Sequence, residues 1–285
     1  RKLQKIFDNF KFENPSFFMP GGFGFLSYDL AWQIEKLPKM AIDDLFLPDI
    51  FICFYDTILI FDNIKKKVIL KSLDCEKDKN FEGKFYEKKK FILSTFEKIS
   101  NLNIKIPEFR IEKLFSNMSI SQYISSIEKI KNYIKEGDVY QINFSHRFGI
   151  KGYFQPYYLF YKLKKTNPAP YSAYFNADDF ILISNSPELF LKKEKNKVIT
   201  KPMKGTRKRE NNFGMNKEIK KDLLESEKDR AELIMIVDLE RNDFGKICEF
   251  GTVKVKKLIN LEEYRTVYQT TSTIEGKLKK GVKHV

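Results

Sequence analysis

Lys204 lies in a short basic segment, Lys201-Pro-Met-Lys-Gly-Thr-Arg207, in which proline and glycine restrict the backbone. Neighbouring cations disfavour the ammonium form of a lysine, so Lys201 and Arg207 favour a neutral, nucleophilic amine on Lys204. Upstream, Glu188 follows Pro187 in a segment that is otherwise apolar. Burial there would favour the protonated carboxyl that a general acid needs. The two residues predict covalent catalysis assisted by proton transfer, and a solvated run of charge is the alternative.

Four acids recur at spacings of three or four residues along a predicted helix at 216–239: Asp222, Glu225, Asp229 and Glu232. Glu232 differs from the others because it stands inside the apolar run 231–237. A buried carboxylate without a cation or a donor costs several kcal/mol, so Glu232 must have a partner. With Asp229, one turn away, it suits Mg²⁺, which binds one or two carboxylates, waters and substrate oxygens. An ion pair with an arginine is the alternative, and both interpretations stand at this point.

The elements that must position these side chains follow from hydrophobic periodicity. Isoleucines at helical spacing predict a helix over 120–134, with Ser119 or Ser121 as its N-cap and Gly137 as its end. Further strands are predicted at 171–175, 180–191, 198–203, 252–258 and 267–274, and further helices at 84–99, 155–164 and 216–239.

Alternation of polar and apolar residues predicts a strand at 139–148. The polar face of this strand consists of Gln141, Asn143, Ser145 and Arg147. A solvated face is the ordinary explanation of such a row. A row without lysine or glutamate is nevertheless unusual for the exterior of so lysine-rich a chain.

The composition limits the class of protein. Apolar residues make up 42% of the 285 residues, enough to bury a core, so wholesale disorder is excluded. The formal net charge of +14 is compatible with binding of nucleic acid or of an anionic small substrate. Only eight of the 52 basic residues are arginine, the residue best suited to base and phosphate recognition, and the lysines are interspersed with acids. A nucleic-acid-binding protein is therefore the distant alternative.

The sequence also indicates a compartment. It contains no run of about 18 uncharged apolar residues, the length that a membrane helix needs, and no apolar signal segment at its start. The three cysteines, Cys53, Cys75 and Cys248, are far apart and predict neither a disulfide framework nor a zinc site. We therefore expect a protein of the reducing cytoplasm that does not associate with membranes.

Five segments, in order along the chain, resemble the chorismate-utilising enzymes. They are 138–147 (DVYQINFSHR), 167–171 (NPAPY), 186–189 (SPEL), 201–206 (KPMKGT) and 228–243 (KDRAELIMIVDLERND). In addition, 21–29 and 34–38 resemble the N-terminal part of the anthranilate and aminodeoxychorismate synthases. No single segment is decisive, but five in the family's order make the resemblance specific.

The resemblance implies a fold and a division of the sequence. The fold would be α+β, an antiparallel β-sandwich core with helices packed outside. The N-terminal region of this family type would occupy 1–112 and the chorismate-binding catalytic region 113–285, as one intertwined unit. A glycine-rich segment and a second metal-binding glutamate follow in the family, so we expect the catalytic region to be C-terminally incomplete at residue 285.

The residue at position 204 separates the branches of this family. Anthranilate, isochorismate and salicylate synthases carry alanine there, whereas aminodeoxychorismate synthases carry lysine, as this chain does. Gln141 stands where isochorismate-type members place a water-activating lysine, and Gln269 where anthranilate synthases carry a histidine linked to pyruvate loss. The resemblance therefore implies aminodeoxychorismate synthase component I, with anthranilate synthase component I as the alternative.

In that branch chorismate and ammonia give 4-amino-4-deoxychorismate, on the route to p-aminobenzoate and folate. The resemblance implies that Lys204 attacks ring C2 while Glu188 protonates the departing C4 hydroxyl. It implies that Glu232, with Asp229 nearby, binds Mg²⁺. The substrate-binding residues that it implies are Gly205, Thr206 and Gln141. Ammonia would come from glutamine through a separate glutamine amidotransferase subunit, in a heterodimer.

Overall fold

The computed structural model describes residues 19–40, 42–74, 80–100 and 107–282. Two compact units make up the chain, one formed by residues 1–103 and 188–285 and the other by residues 104–187. Within the described ranges every strand pairing is antiparallel. The antiparallel sheets and separate helices confirm the predicted α+β class. No helix in these ranges combines the length and apolar character needed to span a membrane.

In its described residues, the N-terminal part of the first unit has two strand pairs, a short helix with a preceding 3-10 turn, and a long helix. Strand β1 (Gly21–Leu26) pairs with β2 (Ile50–Tyr55), and β3 (Thr57–Asp62) pairs with β4 (Lys67–Ser72). A 3-10 turn at Tyr28–Leu30 leads into the short helix α1 (Ala31–Ile34). Helix α2 spans Phe81–Ser100, which confirms the helix predicted at 84–99.

The second unit contains two strand pairs and two helices. Its elements are β5 (Arg110–Ser116), α3 (Ile120–Glu136), β6 (Phe148–Tyr153), α4 (Pro156–Thr166), β7 (Tyr171–Asn176) and β8 (Ile181–Ser186). Strand β5 pairs with β6 and β7 with β8. Helix α3 begins and ends as predicted, because Ser119 and Gln122 form a reciprocal capping box and Gly137 adopts a φ of 84°.

One prediction for the second unit, the strand at 139–148, is wrong. Residues 139–147 form no strand, and β6 begins only at Phe148. An extended segment needs a ladder partner, and β5 ends at Ser116, before it could pair with this one. The division expected between residues 112 and 113 lies within the span of β5 and stays a prediction. Residues 1–18 of the predicted region 1–112 lie outside the described residues.

The C-terminal part of the first unit is a five-stranded sheet with two helices on it. The strands are β9 (Leu189–Glu194), β10 (Lys197–Lys201), β11 (Met203–Lys208), β12 (Lys254–Glu263) and β13 (Val267–Lys277). Their order is β11-β13-β10-β9, and β12 also pairs with β13. Helices α5 (Phe213–Glu225) and α6 (Glu227–Ile247) both contact β11 and β13.

The core of this part lies between α6 and the sheet. Its buried members are Val198, Val237, Phe244, Cys248, Ile274 and Leu278. Burial of one large aliphatic or aromatic side chain is worth about 1.5–3 kcal/mol, so this cluster anchors α6 to β10 and β13. Cys248 is a free, buried thiol and Cys53 a free, half-buried one, whereas Cys75 lies outside the described residues.

The single helix predicted at 216–239 is in fact two helices. Ser226, between α5 and α6, has an extended backbone, and its hydroxyl accepts a hydrogen bond from the Asp229 amide (3.3 Å). A serine side chain competes for backbone N–H groups, and here it caps a new helix rather than continuing the old one. The acidic row is therefore interrupted, with Asp222 and Glu225 on α5, and Asp229 and Glu232 on α6.

Candidate active site

Strand β11 carries three of the predicted site residues in succession, Lys204, Gly205 and Thr206. Lys204 is half-buried and pairs with Thr270 of β13. The buried Thr270 hydroxyl donates a hydrogen bond to the Lys204 carbonyl oxygen (2.6 Å). The backbone of Lys204 is thus fixed from inside the sheet, which limits the directions in which its amine can reach.

Gly205 forms a bulge that only glycine fits. Its φ is +66°, and the register of β11 against β13 shifts between Lys204 and Thr206. A Cβ at this position would lie 2.9 Å from Leu223 Cδ1 and 3.0 Å from Asp229 Cβ. The bulge therefore brings the start of α6 against β11 and redirects the side chains on either side of Gly205.

Arg207 of β11 connects α5 to α6 across the break at Ser226. Its Nε lies 2.6 Å from an Asp222 oxygen and its Nη2 3.0 Å from an Asp229 oxygen. The hydrogen bond with Asp222, together with the Asp229 carboxylate, raises the pKa of Arg207. The Asp229 side chain is only 16% exposed, so it depends on this cation. For Asp229, the structure shows the ion pair with an arginine.

Lys201 is paired in the same way at the end of β10. Its ammonium lies 2.5 Å from a Glu262 oxygen of β12, and Asn260 and Thr271 donate to that same oxygen. Burial opposes the charge of Glu262, but the hydrogen bond and charge of Lys201 outweigh it and lower the pKa of Glu262. Neither Lys201 nor Arg207 is therefore an uncompensated cation.

The sequence argument for a nucleophilic Lys204 took Lys201 and Arg207 to act on it as free positive charges, and this premise is wrong. A cation paired with a carboxylate exerts little net field on a neighbour. The sequence could not show these pairings, because the partner acids come from other elements. Lys204 remains a candidate nucleophile through its position on the strand.

Glu188 lies in a connection between strands and not inside one. The strand predicted at 180–191 is divided into β8 and β9, with Pro187 and Glu188 between them. Proline lacks the N–H that a central ladder needs, which accounts for the division. Glu188 is exposed, so its predicted burial is wrong. One of its carboxylate oxygens accepts a hydrogen bond from the Met203 amide (3.2 Å), which places the candidate acid against the residue before Lys204.

Gln269 of β13 supports Thr206 from the neighbouring strand. Its Nε2 donates to the Thr206 hydroxyl (3.2 Å), whereas its Oε1 is buried and has no hydrogen-bond partner among the described residues. A buried acceptor without a donor costs about 1–3 kcal/mol. Gln269 therefore acts on the site through its hydrogen bond to Thr206.

Sequence reasoning missed Glu240, on α6. Burial raises its pKa, and the negative charges of Glu188 and Asp243 act in the same direction. One of its carboxylate oxygens is buried without a hydrogen-bond partner among the described residues. Helical periodicity could have predicted that Glu240 faces the core, because Glu240 continues the row of core positions that begins at Leu233.

Gln141 belongs to the second unit. It is exposed and lies in the irregular segment before β6, so the polar row predicted on a strand does not form. The other six predicted site residues all belong to the first unit. Those brought together there are Glu188, Lys204, Gly205, Thr206 and Asp229, with Glu232 one turn further along α6.

Comparison with models of protein families assigns the chain to one family. Residues 2–285 match the family described as chorismate binding enzyme. The chain belongs to this family.

Similar chorismate-binding enzymes come from plants and bacteria. The chain is 35% identical over 283 residues to anthranilate synthase alpha subunit 1, chloroplastic, of Arabidopsis thaliana, a match that covers 94% of this chain and 48% of the relative. It is 34% identical over 267 residues to aminodeoxychorismate synthase component 1 of Bacillus subtilis, a match that covers 93% of this chain and 56% of the relative. The chain thus spans about half the length of these curated relatives.

A solved structure shows the fold of this chorismate-binding enzyme. The crystal structure of anthranilate synthase component I from Streptococcus pneumoniae TIGR4 matches 99% of this chain and 63% of that one, with a TM-score of 0.85 and 24% identity. This likeness confirms the fold that the sequence predicted.

Of the two candidate Mg²⁺ ligands, Glu232 has the more weakly paired carboxylate. Its side chain is 34% exposed, less buried than the apolar run predicted, and its ion-pair partner Lys228 lies 4.0 Å away. The Asp229 carboxylate is already occupied by Arg207. No three histidine, cysteine, aspartate or glutamate side chains of the described residues lie close enough together to hold a metal ion. Waters and substrate oxygens would have to complete the coordination of an ion at Glu232.

Proposed function

We propose that this chorismate-binding enzyme is component I of an aminodeoxychorismate synthase, which converts chorismate and ammonia to 4-amino-4-deoxychorismate. The observation that carries the proposal is the position of Glu188 beside Met203, the residue that precedes Lys204. The Glu188 carboxylate is bound to the Met203 amide, next to a lysine whose backbone is fixed by Thr270. A lysine at this position distinguishes the aminodeoxychorismate branch in the resemblance, and the Bacillus subtilis relative carries that name.

In the proposed reaction Lys204 forms a bond to ring C2 while the C4 hydroxyl leaves. Glu188 gives that hydroxyl its proton, so water departs and the Glu188 carboxylate forms. Ammonia then attacks C4 and displaces the Lys204 amine from C2. The proton that ammonia loses restores the acid, and the balance is chorismate plus ammonia to product plus water.

The surrounding residues hold the ring. Gly205 gives the strand its bulge, and Thr206, supported by Gln269, presents its hydroxyl to the substrate. Mg²⁺ bound through Glu232 would supply positive charge for a substrate carboxylate. The role of Gln141 as a binding residue stays a prediction.

The source of ammonia completes the proposal. Glutamine would supply it through a separate amidotransferase subunit, and the product would serve p-aminobenzoate and folate synthesis in the cytoplasm. The family assignment gives no support to the nucleic-acid-binding alternative that the net charge raised.

Anthranilate synthase component I is the second candidate. It is supported by the Arabidopsis thaliana relative, at 35% identity, and by the fold of the Streptococcus pneumoniae protein. Gln269 argues against it, because a glutamine cannot exchange a proton as the histidine of that branch does.

The decisive experiment supplies the full-length enzyme with chorismate, ammonium and Mg²⁺ and separates the products by chromatography. We expect 4-amino-4-deoxychorismate without release of pyruvate. Fluorescent anthranilate with an equal amount of pyruvate would establish the second candidate instead. Glutamine should replace ammonium only after an amidotransferase subunit is added, and turnover of glutamine by the enzyme alone would refute the partner proposal.

A further inference from the structure

Glu240 occupies a core position of α6 that the proposed reaction does not use. Leu233, Val237 and Phe244 of the same helix are 0%, 2% and 6% exposed, and they pack toward the sheet. Glu240 falls between Val237 and Phe244, three residues after one and four before the other, so it shares their face. A carboxyl group is thus inserted into an otherwise apolar row.

The hydrogen bonds around Glu240 favour its protonated form. One of its oxygens is buried and accepts no hydrogen bond from any described residue. A bond donated by Thr200 would lower the pKa of Glu240, but the hydroxyl of that buried threonine already donates to the Phe190 carbonyl oxygen (2.7 Å). A hydroxyl has one proton and two lone pairs, so Thr200 can only accept from Glu240.

The charges that act on Glu240 point the same way. They are Glu188, from the connection before β9, and Asp243, on α6 itself. Asp243 is also paired with Lys246 (2.8 Å), so its effect is diminished. The group contributed by β10 is the neutral Thr200. Two carboxylates that repel each other do not both ionise easily, and the more buried one keeps the proton.

We propose that Glu240 holds a proton at neutral pH and shares it with Glu188, the candidate general acid. Its role in turnover rests on the proposed function, whereas its protonation does not. Glu188 gives a proton to the hydroxyl oxygen as the C4–O bond breaks, and the Glu240 proton passes to Glu188. The proton that ammonia releases on forming the C–N bond returns to Glu240. Glu240 is a positioning residue, since it acts through Glu188.

The pH profile of chorismate consumption tests the role in turnover. Two interacting carboxyls lose their protons in two steps, so the wild-type pair keeps one proton to a higher pH than a lone carboxyl. In the wild type kcat falls at high pH as this last proton is lost. In Glu240→Gln this alkaline fall of kcat should occur at a pH lower by about one unit or more. The control Asp238→Asn, at an exposed acid of the same helix that is paired with Arg241, should leave that limb in place. A Glu240→Gln profile that superimposes on the wild type overturns the proposal.

A stability measurement tests the protonation without any activity. Because the folded pKa of Glu240 is raised, its contribution to stability is greatest at low pH and is lost as pH rises through that pKa. Glu240→Gln should therefore gain in urea midpoint over the wild type as pH rises from about 4 to about 8. The gain should be smaller when Glu188→Gln is also present, because one of the opposing charges is then gone.

The outcomes separate the two proposals. If the gain in urea midpoint of Glu240→Gln does not change with pH, Glu240 is not protonated at neutral pH in the folded protein. If the gain is equal with and without Glu188→Gln, Glu240 is not coupled to Glu188. A wild-type enzyme that never consumes chorismate refutes the proposed function, and the stability cycle then decides the coupling alone.

Discussion

The guanidinium of Arg207 lies 3.0 Å from the Asp229 carboxylate, at a position for which the sequence allowed either an arginine or a metal ion. The same guanidinium holds Asp222 at 2.6 Å, so one cation joins two helices that the chain separates at Ser226. Asp229 also stands against the Gly205 bulge. The pair therefore supports the strand that carries Lys204 and leaves Glu232 as the candidate metal ligand.

Substitutions of the two acids should separate these roles. Glu232→Gln should abolish Mg²⁺-dependent activity and leave the urea midpoint near that of the wild type. Asp229→Asn should keep the Mg²⁺ response and lose about 1–2 kcal/mol of stability, because it breaks a charged hydrogen bond to Arg207. The measurements are rate against Mg²⁺ concentration and unfolding in urea. If Asp229→Asn lost its Mg²⁺ response at normal stability, Asp229 would be a ligand after all.

Lys204 should become attached to the substrate ring during turnover. Intact-protein mass spectrometry of enzyme, Mg²⁺ and chorismate without ammonia should show an adduct, and Lys204→Ala should not form it. Removing a covalent nucleophile commonly costs several powers of ten in rate. Lys208→Ala is the matched control, because Lys208 lies on the same strand but is 79% exposed and paired with Glu210. A near-normal rate for Lys204→Ala, with no adduct in the wild type, would contradict the proposed mechanism.

Substitution by alanine should change stability in opposite directions at two glycines, one in a crowded bulge and the other with open space around it. Gly205→Ala should lose about 2–4 kcal/mol, because its φ of +66° is unfavourable for a side chain and its Cβ would meet Leu223 and Asp229. Gly245, within α6, has open space around it, so Gly245→Ala should gain about 0.5–1 kcal/mol. Denaturant unfolding measures both, and destabilisation of similar size at the two positions would show that the bulge is not the cause.

The Lys201–Glu262 pair should give stability that disappears in acid. Burial opposes the charge of Glu262, but Lys201 lowers its pKa below the usual 4.5, so its ionised form stabilises the fold above that value. The contribution is lost as pH falls through the lowered pKa. Glu262→Gln should unfold at a lower temperature than the wild type near neutral pH, and the gap should close in acid. A gap of constant size from neutral pH to acid would show that the charge of Glu262 contributes nothing.

Features decided by residues close in sequence were predictable. The capping box of Ser119 and Gln122 and the left-handed Gly137 defined α3 because each acts within one helical turn. By contrast, Glu262 reaches Lys201 from 61 residues away, and the partners of Arg207 come from two different helices. No local pattern carries such pairings, so the charges around Lys204 were misjudged.

The sequence predicted which residues lie near one another better than it predicted the burial and the hydrogen-bond partners of those residues. Glu188 binds the amide of Met203, the residue before Lys204, yet Glu188 is exposed because Pro187 ends the strand before it. Glu240 could have been found from the helical period alone. That Glu240 favours its protonated form follows only from two structural observations. One of its oxygens has no hydrogen-bond partner among the described residues, and the Thr200 hydroxyl already donates to the Phe190 carbonyl oxygen.

Strand β13 is paired with β10, β11 and β12 at once, and its Thr271 and Ser272 are completely buried. Amide hydrogens of this strand can exchange with solvent only when several ladders open together, whereas those of β9 need the loss of one. Lys204 and Thr200 pair with Thr270 and Ile274, only four residues apart on this shared strand, so the opening that frees one frees the other. The nucleophile and the hydroxyl beside Glu240 thus belong to a single cooperative unit of unfolding.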